Sequence, residues 1–146
     1  MARIPYADLN APELQPLVQR IVAESDPVPA AGSGVQVGDI FFPLVRESPF
    51  GWNEAGQVAF TTTLAGNGIT FANEGAILAG VPGALAIACR DGVSDGHTFD
   101  VPQRAYPLIN RTGQVAFVAN VTPAGTSSFL ESLWRWTPGP GGGTRQ

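Results

Sequence analysis

Apolar and polar residues alternate along most of the chain in short runs broken by Gly, Pro and Asn, the period expected of half-buried β-strands. The clearest run occurs twice. Asn53-Glu54-Ala55-Gly56-Gln57-Val58-Ala59-Phe60 returns 57 residues later as Asn110-Arg111-Thr112-Gly113-Gln114-Val115-Ala116-Phe117, with six of the eight positions identical. In each copy the Asn suits an Asx-turn, and the Gly three positions on takes φ > 0 without steric cost. The residues that follow alternate, so Val58 and Phe60 share one strand face, as do Val115 and Phe117. Asn53, Gly56, Phe60, Asn110, Gly113 and Phe117 are therefore read as a structural turn motif. A repeated octet of this kind marks a repeated structural unit rather than a repeated active site.

The same patterning predicts strands over 39–45, 57–64, 76–79 and 84–89 in a first unit, and over 105–109, 114–121 and 129–136 in a second. Ala65-Gly66-Asn67-Gly68 and Val81-Pro82-Gly83 read as turns. Pro43-Leu44 aligns with Pro107-Leu108, which leaves about seven additional residues, 45–51, ahead of the first turn. Insertions within repeats map to loops, where binding is concentrated. The loop 46–52, with Arg46 and Trp52, is thus a candidate binding surface.

One segment departs from the alternation. Asn10 and Glu13 have capping-box spacing, Pro12 suits a first turn, and Leu14, Leu17, Val18, Ile21 and Val22 follow the stripe of an amphipathic helix. Pro16 restricts its regular part to the stretch from Pro16 to about Glu24. The expected fold class is mainly β: two antiparallel β-repeats, propeller-blade-like or curled into a small sandwich, with one N-terminal amphipathic helix. The expected divisions are a helical segment at 1–24, a repeat domain at 25–136 with units at about 39–96 and 97–136, and a flexible Gly/Pro tail at 137–146. Residues 25–38 read as a linker. Repeats bury their faces against neighbours, and two alone leave sheet edges open. The expectation is either a helix that caps the sheet or a homodimer formed through edge strands.

Composition supports many short elements, since 18 Gly and 13 Pro punctuate 146 residues. A net charge of −4, without a Lys/Arg patch, argues against nucleic acid as a partner. One cysteine, Cys89, excludes an internal disulfide and a multi-cysteine zinc site. No apolar run reaches the length of a membrane-spanning helix, and no signal-peptide pattern opens the chain, so the expected location is the cytoplasm.

Candidate chemistry is sparse. Asp91, Asp95 and His97 lie close together in sequence, but their spacing matches neither an EF-hand loop nor a zinc-binding helix; a solvated Gly/Asp turn is the simpler reading. Ser94 or Ser48 with His97 lacks the Gly-x-Ser-x-Gly elbow of a hydrolase. Glu47, Glu54, Glu74 and Glu131 all fall near turns, where glycosidase geometry cannot be read. Gly66-Asn67-Gly68 lacks the Lys and following helix of a phosphate loop. Asn110 and Asn120 stand in glycosylation sequons. Trp134 and Trp136 fall on one strand face, either as cover for the core or as stacking surface for a sugar or a partner protein.

The paired Asn-x-x-Gly-x-x-x-Phe octets resemble a tandem-repeat family of bacterial surface proteins named for that motif. Leu64-Ala65-Gly66-Asn67-Gly68-Ile69-Thr70, Asn73, Gly80-Val81-Pro82-Gly83-Ala84-Leu85 and Arg90-Asp91-Gly92 extend the likeness over about 25–136. It implies an exported β-repeat protein without catalytic residues to carry over. Residues 1–24 resemble the start of carboxymuconolactone decarboxylase-like proteins through Met1-Ala2-Arg3-Ile4-Pro5-Tyr6 and Asp8-Leu9-Asn10-Ala11-Pro12-Glu13-Leu14. That family's catalytic helices have no counterpart here, so no activity transfers. The expected function is a non-catalytic β-repeat module with a structural or protein-interaction role and no cofactor. The alternative is a carbohydrate-binding or hydrolytic domain that uses exposed tryptophans and loop carboxylates. Expected partners are a second copy, an unknown protein or a glycan.

Overall fold

The computed structural model describes residues 22–40, 50–94, 96–101 and 106–146. These residues form two antiparallel sheets joined by one short connection. The first sheet contains β1 (Val35–Ile40), β2 (Phe50–Trp52), β3 (Val58–Gly66), β4 (Gly75–Val81) and β5 (Ala84–Arg90). Its order is β1-β3-β4-β5, with β2 pairing on β3. The second contains β6 (Gly92–Ser94), β7 (His97–Asp100), β8 (Leu108–Ile109), β9 (Val115–Pro123), β10 (Leu130–Thr137) and β11 (Thr144–Arg145). Its order is β11-β10-β9-β7-β6, with β8 pairing on β9. Strands β7, β8, β9, β10 and β11 therefore repeat the pairing of β1, β2, β3, β4 and β5, and β6 is an addition.

The register makes the repetition residue-specific. Thr61 pairs with Ile77 and Phe60 with Leu78; at the offset set by the octets, Val118 pairs with Leu133 and Phe117 with Trp134. Ile77 thus corresponds to Leu133, and Leu78 to Trp134. The sheets stack front to back. One core joins Ala59, Ile77, Ala79, Ala88 and Cys89 of the first sheet to Phe99, Val115, Phe117, Ala119, Val121 and Trp136 of the second. A second core, on the opposite face of the first sheet, gathers Val58, Phe60, Leu64 and Leu78 with Val28, Val35 and Val37. The face carrying Val and Phe of the second octet therefore lies on the small-residue face of the first repeat. Burying both faces explains why 58–62 is buried without alternation, whereas β9 alternates cleanly along its length. The buried hydroxyl of Thr62 is satisfied by donating to Asp39 O at 2.9 Å.

Turn chemistry places the strand ends. Pro82-Gly83 closes the β4–β5 hairpin with Gly83 at φ 81°, and Val81 faces Ala84 across it. Several local expectations are corrected. The linker assigned to 25–38 includes most of β1, held by pairing to Ala65 and Gly66. Phe50–Trp52 is a strand and not the end of a loop, because it pairs with Val58–Phe60. His97–Asp100 is a strand on β9, not a solvated turn. The tail holds β11, fixed by pairing to β10 and by Trp136 Nε1, which donates to Gly142 O at 2.8 Å. The expected N-terminal helix lies outside the described residues except at 22–24, which are not helical.

Candidate interaction site

The two octets form the same turn. Asn53 Oδ1 accepts from Ala55 N at 3.1 Å and Gln57 N at 3.0 Å, while its Nδ2 donates to Gln57 Oε1 at 2.7 Å. Asn110 Oδ1 accepts from Thr112 N at 3.0 Å and Gln114 N at 2.9 Å, and its Nδ2 donates to Gln114 Oε1 at 2.9 Å. Gly56 and Gly113 take φ 73° and 81°. Phe60 and Phe117 then enter the two cores, one each.

The turns also touch one another. Asn53 Nδ2 donates to Asn110 O at 2.8 Å. A Cβ on Gly113 would lie 2.8 Å from Gln57 Nε2, and one on Gly51 would lie 3.0 Å from both Ile109 N and Pro107 O. The repeats are thus joined at their motif turns by close backbone approach. The exposed ion pair of Glu54 with Arg111, at 3.9 Å, adds little in solvent.

A second inter-repeat strut is Asp91. Its carboxylate accepts Gly75 N–H from the first sheet at 2.9 Å and Val101 N–H from the second. Burial holds this carboxyl above the ordinary aspartate value, and the nearby charges of Asp100 and Glu74 push the same way; the two backbone donors oppose them. Asp95 lies outside the described residues. His97 stands edge-on to Trp134 at 5.4 Å between ring centroids, beside Phe99. Among the described residues no group of three His, Cys, Asp or Glu is placed to hold a metal ion.

The tryptophans part company. Trp136 is buried, and Trp134 is half-buried against Phe99 at 5.0 Å, so both rings face the inter-sheet core. Trp134 Nε1 is buried without a partner among the described residues. Trp52 is 77% exposed on β2, whereas Arg46 lies outside the described residues.

The feature that sequence reasoning missed is the outer face of the second sheet. Because Phe99, Trp134 and Trp136 point inward, the intervening positions Asp100, Glu131, Leu133 and Arg135 point outward. Leu108 pairs beside Ala116, and Val118 beside Leu133. Leu133 is 76% exposed and Leu108 is 69% exposed. The equivalent of Leu133 in the first repeat, Ile77, is fully buried beneath the second sheet. The signal was present in the alternation Glu131, Leu133, Arg135 and in Pro138-Gly139, which follows Leu133 at the distance at which Pro82-Gly83 follows Ile77, but the strand residues between share no identity and the strand register is what pairs the two positions.

Fold and turns together define a protein of two stacked β-repeats tied at homologous Asn-x-x-Gly turns. The chain belongs to a family of unknown function, DUF7453, whose model matches residues 12–146. No curated protein and no solved structure matches it.

Proposed function

We propose that this chain is a non-catalytic β-repeat module whose role is structural or protein-binding. The observation that carries this reading is the outer face of the second sheet. Its equivalent in the first repeat is a sheet-on-sheet contact already made within the chain, yet here Leu108 and Leu133 stand in solvent. A contiguous exposed apolar patch with a charged border is a common mark of a protein contact. The alternative, carbohydrate binding, rests on Trp52, the one tryptophan of three that is well exposed. Site-specific photo-crosslinking separates the two. A photoreactive phenylalanine at Leu133 is expected to yield protein adducts in cells, and one at exposed Ser128 is not. Absence of protein adducts at Leu133, together with a Trp52-dependent change of fluorescence on a glycan panel, would transfer the assignment to sugar binding.

A further inference from the structure

We infer that the apolar stripe Leu14, Leu17, Val18 and Ile21 docks within its own chain, in a groove between the two edges of the first sheet, and fills the gap between them. The inference goes beyond the interaction-module reading and does not depend on Leu133.

The groove measures about 470 Å³. Its walls include Val22, Val37 of β1, and Pro82, Gly83, Ala84 and Leu85 at the β4–β5 hairpin. Strands β1 and β5 stand at opposite ends of the path β1-β3-β4-β5, yet Val37 and Leu85 meet at this groove, so the sheet curls and brings its edges together. Val22 and Leu85 are half-buried against the second core, and Ala84 is exposed. Among the described lining residues Asp26 is the one ionisable group, and its Oδ2 accepts from Ala23 N at 2.8 Å. A groove of this make-up suits an apolar occupant.

The chain delivers such an occupant to that place. Residues 26–28 take the free edge of β1, with Val37 N donating to Asp26 O at 2.8 Å and Val28 N donating to Val35 O at 3.0 Å. A tight turn precedes them: Asp26 N donates to Ala23 O at 3.1 Å, Ser25 N donates to Val37 O at 2.8 Å, and Ser25 takes φ 69°. The turn sets Val22 on the groove wall, where residues 1–21 join it. Val22 is also the last member of the stripe, so one member already rests on the core. In a helix that ends at Ile21, the other four share one face. A helix this short is not stable in water by itself, so its stripe needs a surface to pack on. The family model begins at residue 12, which puts the stripe in the same unit as both sheets. A segment tethered at the groove wall has an effective concentration there on the order of millimolar, which favours it over a separate partner in dilute solution.

A photoreactive phenylalanine at Ala84, in the whole protein at low micromolar concentration, tests the assignment. Adducts are mapped by mass spectrometry, and far-UV circular dichroism reports the fold of each variant. Adducts are expected within residues 12–21 of the same chain, at monomer mass. Leu17→Glu should reduce them about tenfold or more, whereas Gln19→Glu, off the stripe, should leave them within about twofold. A segment tethered nearby but not seated would not give that contrast. Leu17→Ala, the milder change, should act in the same direction and decides the matter if Leu17→Glu unfolds the chain. In urea unfolding without the photoreactive residue, Leu17→Ala should raise the unfolding equilibrium constant about tenfold or more, and Gln19→Ala by about twofold or less. Adducts within 12–21 that neither Leu17 variant reduces would overturn the docking. So would adducts to a second copy or to a different protein, or no adducts at Ala84. The Leu133 crosslink bears on the interaction module alone, so the two readings fail separately.

Discussion

The motif glycines show how one residue type can carry two different constraints. Gly56 and Gly113 have nearly the same left-handed φ, but a Cβ at Gly56 meets nothing within 4 Å, while one at Gly113 strikes the amide of Gln57. Gly56→Ala is expected to cost about 1–2 kcal/mol from backbone strain alone. Gly113→Ala should cost more, and Gly113→Ala/Gln57→Ala should return to the level set by strain plus the lost Gln57 bond, measured by urea unfolding. Equal costs for the two glycines would mean that the turns do not press on each other. Asp91 gives a second test. Its folded carboxyl keeps its proton to higher pH than an unfolded one, since burial outweighs the two N–H donors. Its contribution is therefore fully present below the ordinary value of 3.8 and is lost as pH rises through the raised folded value. The stability difference between wild type and Asp91→Asn should favour wild type more at about pH 4 than at about pH 7. A difference that grows with pH would show that the N–H bonds dominate.

At the scale of the element, the two tryptophans of β10 both face the inter-sheet core, and they do so unequally. Trp136 Nε1 is satisfied by Gly142 O, which pins the closing segment, whereas Trp134 Nε1 is buried with no described partner. Removing an unsatisfied donor offsets part of the packing lost, but removing a satisfied one adds to it. Trp134→Phe should therefore cost about 1 kcal/mol less than Trp136→Phe in chemical denaturation. The octets are legible in the amino-acid sequence, because an Asx-turn followed by Gly is local chemistry. Strand β7 is not: in His97-Thr98-Phe99-Asp100 the neighbouring Gly and Asp residues suggest a turn, and pairing with β6 and β9 stabilises the extended form. The same holds for β11, two residues in a Gly-rich tail that depend on β10 for every ladder bond.

For the whole molecule, the shared core means that neither sheet is an independent unit. Ala59, Ile77 and Ala79 are buried only because the second sheet lies on them. Phe117→Ala should destabilise by about 3–5 kcal/mol, and circular dichroism and tryptophan emission should report one coincident transition. Two separable transitions would show that the repeats fold alone. Among the described residues the first sheet is covered on both sides, whereas the outer face of the second sheet carries exposed Leu108 and Leu133.

The amino-acid sequence alone determined the repeated turns, the inward direction of Val58, Phe60, Val115 and Phe117, and a mainly antiparallel β class. Each follows from chemistry within a few residues, namely Asx hydrogen bonding, the freedom of Gly at positive φ and a period of two. Tertiary structure decided what lies on each sheet face. Ile77 and Leu133 are apolar residues at equivalent places in equivalent strands, and nothing local separates them. One is core because a second sheet rests on it, and the other is exposed because no sheet among the described residues rests there. The same reason hid Trp134 and Trp136, whose burial depends on a partner sheet far away in sequence. Burial is a property of what packs against a side chain, and that is settled by the stacking of whole sheets rather than by the alternation that builds each one.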